Sequence, residues 1–174
     1  MATLADVKGA SYGPTIKAQL DEERASKSSL EARGIGIITT SGVLASLLLG
    51  LVTFTRGNVD AAHLSINPVA AWVLILAVIL FAAAAILGLL SNLPAKYAEA
   101  DVEVLKKRVD PKEWSTPDPI EAARHDAKLY IEILDDARVN NEKKAQRVWW
   151  GLIAEASGVI AVAMAVLVEL LQLT

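Results

Sequence analysis

The chain contains no cysteine. That excludes disulfide scaffolds, thiolate zinc sites and cysteine nucleophiles. Only two histidines are present, so few metal or general-base constellations can be assembled. Cations are also scarce: 17 Lys and Arg stand against 20 Asp and Glu, for a net charge of −3. A nucleic-acid binder carries a basic surface, so no nucleic-acid partner is expected. No Gly-rich Lys-Ser/Thr phosphate loop and no Gly-x-Ser-x-Gly elbow occurs. The GIG at Gly34–Gly36 lacks the third glycine and the preceding strand that a dinucleotide fingerprint needs. The expectation is a protein with no catalytic residues, no cofactor and no metal, and therefore not an enzyme.

What is present is apolar. Hydrophobic residues make up 53% of the 174 positions while charged ones reach 21%, and mean hydropathy is +0.40. A soluble domain of this length seldom averages so apolar. The residues are also concentrated. Gly34 to Thr55 and Val69 to Leu90 are each 22 residues without a charge. At about 1.5 Å per residue, such a run spans about 33 Å, enough for a hydrocarbon core of about 30 Å. A third block, 148–173, is as long but carries Glu155 and Glu169. Buried core helices are rarely apolar all round over this length. The first block follows 33 mostly polar residues and exceeds the h-region of a signal peptide. The expected fold is an all-α polytopic membrane protein with three transmembrane helices and a cytoplasmic helical bundle.

Lys and Arg set the orientation. Five lie before the first span, one in the 56–68 loop, eleven in 91–147 and none after the third span. Cations favour the cytoplasmic side, so the N-terminus is expected inside and the C-terminus outside. Trp149 and Trp150 would mark the inner interface and Trp72 the outer one.

Outside the spans the pattern is helical. Residues 1–14 read as a mobile N-terminus and 15–33 as a cytoplasmic helix that continues without a breaker into the span at 34–55. Residues 56–68 form the outer loop and 69–90 the second span. Ala95 to Val109 reads as a short amphipathic helix ended by Asp110-Pro111. Asp118 is a good N-cap, with Pro119 at N1 and Glu121 at N3. The helix of 119–147 meets no Pro or Gly before Gly151, so it can run on into the third span. Along it Ile120, Ala127, Leu134, Asn141 and Val148 recur every seven residues. This seam suits packing against other helices of the chain, or a subunit interface whose register Asn141 sets.

Small residues mark the candidate packing faces. Gly42, Ser46 and Gly50 are four apart in the first span, with Thr39 and Thr53 beside them; Ser157, Ala161 and Ala165 repeat the spacing in the third. Such stripes let helices approach closely, within one protomer or between copies. The intramembrane acids Glu155 and Glu169 are candidates of another kind. Glu155 lies eight residues beyond Arg147, too far to pair along one helix. It would find a partner on another helix or in water, or line an oligomeric pore. His125 shares a face with Glu121 alone and His63 has no ligand at useful spacing, so neither makes a metal site.

The order of parts is cytoplasmic helix, two-span hairpin, cytoplasmic helices, third span. It resembles the Pycsar-type transmembrane effectors and, more loosely, the SLATT membrane modules of bacterial antiviral operons. Two stretches carry the likeness: RASKSSLEARGIGIITTSGVLASLLLGL entering the first span and ARVNNEKKAQRVWW entering the last. It is also similar to small Ala-rich three-span membrane proteins of actinobacteria. The first resemblance implies an oligomerising protein of the bacterial plasma membrane that perturbs the bilayer or forms a channel in a defence or stress response. The partners expected are the lipid bilayer and further copies of the chain. The alternative is a non-enzymatic scaffold that anchors a cytoplasmic protein partner through residues 95–148.

Overall fold

The computed structural model describes residues 12–57, 67–94 and 119–172. It is all-α: three helices, α1 (Tyr12–Gly57), α2 (Pro68–Asn92) and α3 (Pro119–Gln172), with no strand among the described residues. The tail up to residue 11, most of the outer loop, the 95–109 helix and the Asp118 cap lie outside those residues.

The helix ends follow local chemistry. α1 starts at Tyr12, three residues ahead of the expected start, and takes Gly13 and Pro14 into its first turn. Proline is tolerated there because the amide it lacks has no intrahelical partner at that position. The N-cap of α2 is Asn67, whose Oδ1 accepts from the Val69 amide at 2.8 Å, with Pro68 at the first helical position. Leu93 ends α2 with ψ near 139°, as the residue before Pro94 prefers. α3 is continuous over 54 residues, so the helix that begins at Pro119 runs on through the third apolar block.

All three helices are long and apolar enough to cross a membrane. The apolar windows are only 17 to 22% buried within the protein, and most described Leu, Ile and Val of the blocks are exposed.

The chain divides into two compact units, 1–29 with 94–143 and 30–93 with 144–174. In the first, Leu20 of α1 packs on Leu134 and Ala137 of α3. The second is a three-helix bundle. Gly34 and Ile38 meet Gly88, while Leu48 packs with Ala77 and Phe81, so α1 and α2 run antiparallel. Ile37 packs with Val148 and Leu48 with Ala161, so α1 and α3 run parallel.

The tightest packing in this bundle comes from missing side chains. A Cβ on Gly88 would lie 2.7 Å from the Gly34 carbonyl oxygen, and one on Gly34 would strike Ser91. Here the backbones of α1 and α2 touch. A Cβ on Gly158 would lie 2.7 Å from the Phe81 ring. Phe81 is 1% exposed and uses that notch to reach the bundle centre. Between apolar helices in lipid, contact of this kind supplies the attraction, because leaving lipid for a helix neighbour yields little hydrophobic gain.

Candidate functional site

In the first unit the polar groups of α1 and α3 interlock. Arg138 donates to Glu23 and Gln19, each at 3.3 Å. Asn141 Nδ2 donates to the Glu23 carboxylate and to its backbone carbonyl, both at 2.8 Å. Asn141 is 5% exposed, and its Oδ1 has no partner among the described residues. Asn141 therefore joins α1 to α3 within one chain.

Of the five seam residues, Leu134, Asn141 and Val148 are buried, Ala127 is half-buried and Ile120 is exposed. The gradient has a geometric cause. Partners on the two helices differ by 115 to 119 in residue number (Glu23 with Arg138, Gln19 with Arg138). The first residue of α1, Tyr12, thus stands about level with Ala127.

Two charges of α3 in the second unit hold the two ends of α2. Arg147 Nη1 donates to the Leu90 carbonyl at 2.8 Å, in the last turn of α2. Glu169 Oε1 accepts from the Asn67 amide at 2.9 Å, at the first turn. A helix is partially negative at its C-terminus and positive at its N-terminus. The cation sits at the negative end and the anion at the positive end. On α3 the two residues are 22 apart, about 33 Å at helical rise, which matches the length of α2 between its two contacts. The pair clamps α2 antiparallel to α3 and opposes sliding of one along the other. Removing either hold should cost about 1 kcal/mol. Thermal unfolding in mild detergent of Glu169→Leu, Arg147→Met and the double variant should show two similar, additive losses, because the ends are too far apart to couple. A wild-type melting curve in all three would mean that neither contact holds α2.

Lys144 is embedded as well. It is 2% exposed and is paired with Glu31.

The two small-residue stripes have different positions. Ala161 and Ala165 are buried and Ser157 is half-buried, so the α3 stripe packs inside the protomer. Gly42, Ser46 and Gly50 are exposed, and a Cβ on Gly42 or Gly50 would meet nothing within 4 Å. The hydroxyls of Thr39 and Thr53 bond to the carbonyls of Ile35 and Leu49, one turn back on the same helix. This face of α1 meets no other helix among the described residues.

Glu155 is half-buried. Its carboxylate has no hydrogen-bond partner among the described residues. His125 is exposed, and His63 lies outside the described residues. Among the described residues no three His, Asp or Glu side chains gather as metal ligands would. No family model, characterised protein or solved structure matches this chain.

Proposed function

We propose that this chain is a three-span integral membrane protein, N-terminus in the cytoplasm and C-terminus outside. It assembles as a homo-oligomer through the exposed face of α1 and acts on the membrane itself, as a perturbing or channel-like effector of a bacterial defence or stress response, with no catalytic step. The observation that carries the membrane reading is the outward-facing apolar surface of all three helices. Leu47, Trp72, Trp149, Ile160 and Leu171 are each more than 60% exposed. In water this would be a far larger apolar patch than a soluble monomer tolerates. The Gly42, Ser46 and Gly50 face supports assembly, because small residues allow the close approach on which helix association in lipid depends. The order of parts shared with the Pycsar-type effectors supports the role.

One experiment tests the reading. The chain is overproduced with reporters at Met1 and Thr174, its mass is measured in mild detergent, and dye leakage is followed in cells. The reporters should fall on opposite sides, the protein should be oligomeric, and cells should leak. Ser46→Leu and Gly50→Leu should each lower the mass and the leak together. A monomeric wild type that leaks nothing would overturn the effector role. It would favour the scaffold reading, which rests on Ile131 and Val139, exposed on the cytoplasmic part of α3 at 53% and 44%.

A further inference from the structure

α1 and α3 do not close fully along their apolar lengths. Between them lies a groove of about 330 Å³, walled by Leu44 and Leu48 on one side and Val159 and Val162 on the other, with Phe81 of α2 at its base. That volume is at the small end of ordinary ligand sites, about 300–1,000 Å³. Every lining residue is apolar. Its rim residues Leu47 and Val159 are exposed, so in a membrane the groove is entered from the lipid.

Glu155 stands one turn before Val159 and two before Val162. Residues at this spacing share a helix face, so Glu155, which does not itself line the groove, stands on the same face of α3 one turn toward the inner end. No counter-charge reaches it from the three spans. Residues 34–55 and 69–90 carry no charge at all. On α3 the preceding cations are already engaged, Arg147 with the Leu90 carbonyl and Lys144 with Glu31. A carboxylate within an apolar span is costly unless it is paired or neutralised.

We propose that this groove binds a lipophilic monovalent cation, an ammonium or phosphonium carrying apolar groups, whose charge lies at Glu155 and whose body lies against Leu44, Leu48, Phe81, Val159 and Val162. The chemistry excludes the competitors. One carboxylate among apolar side chains is far short of the six to eight oxygens that calcium takes. An anion would be repelled by Glu155. A lipid acyl chain would fill the groove but leave the carboxylate without a counter-ion.

The inference rests on the membrane reading but not on assembly, since one protomer holds the whole site. The test is therefore made on the full chain in mild detergent, by equilibrium dialysis of tetraphenylphosphonium. Tetraphenylborate, of the same shape and opposite charge, is the control. The wild type should bind about one tetraphenylphosphonium per chain saturably and tetraphenylborate not at all. Glu155→Gln, which keeps shape and removes charge, should weaken binding at least tenfold. Val159→Trp should do the same by filling the groove, and Leu47→Trp at its exposed rim serves if Val159→Trp loses its helical circular dichroism. No saturable binding by the wild type, equal binding of both ions, or unchanged affinity in Glu155→Gln would each overturn the proposal. Saturable, Glu155-dependent binding by a chain that is monomeric and does not leak would uphold the site while the effector role failed.

Discussion

Gly88→Ala should destabilise the protein by about 1–3 kcal/mol, the cost of forcing atoms into a filled contact. Alanine is the better helix former, by about 0.5–1 kcal/mol, so intrinsic propensity predicts the opposite sign. Packing prevails because the new methyl group has no space. It would meet the Gly34 carbonyl oxygen at 2.7 Å and Ile38 Cγ1 at 3.0 Å. The first of these is backbone and cannot rotate away. α1 and α2 would have to separate where Ser91 and Ile37 are buried. The same substitution at Gly36 meets nothing within 4 Å, so there propensity acts alone and stability should rise by about 0.5–1 kcal/mol. Thermal unfolding of the two variants in one mild detergent reads the difference. Equal melting temperatures would mean that α1 and α2 do not touch at Gly34 and Gly88.

These positions also show what could be read from the chain beforehand. Each apolar block contains a helix long enough to cross a membrane, because length and the absence of charge suffice for that expectation. The face on which each helix packs was harder to see. α2 is apolar all round, so hydrophobic periodicity points nowhere. Its packing face is written in residue size. Ala70, Ala77, Ala84 and Ser91 are buried at intervals of seven, with Phe81 and Gly88 between them. In α1 the expected stripe at Gly42, Ser46 and Gly50 is exposed, and the helix contact is made by Gly34 instead. Glycine spacing alone does not tell a face that packs inside the protomer from one that remains free. Glu169 was visible as an intramembrane acid, but its partner is the Asn67 amide, 102 residues away. No local pattern signals that contact. Asn141 stood out as a polar break in an apolar seam, and its contact with Glu23 belongs to the same chain.

Lys144→Met should cost about 3 kcal/mol. The ammonium lies in a site where only 3% of its side chain is exposed, and its partner is the Glu31 carboxylate. Removing one member of a buried pair leaves the other charge uncompensated, typically at about 3–5 kcal/mol. The lower end applies because Glu31 keeps 33% of its side chain exposed and can recover some hydration. The loss should be largely recovered in the double variant Lys144→Met with Glu31→Leu, because a buried ion pair is often no more stabilising than well-packed apolar residues of similar volume. Glu31→Leu alone should be worse than the double variant, since it leaves the more deeply buried charge unpaired. A double-mutant cycle followed by thermal unfolding in detergent measures the coupling directly. A double variant as unstable as the sum of the single changes would mean that the two charges do not act as a pair. Recovery would show that the pair favours this alignment of α1 on α3 through the cost of any alignment that leaves either charge alone.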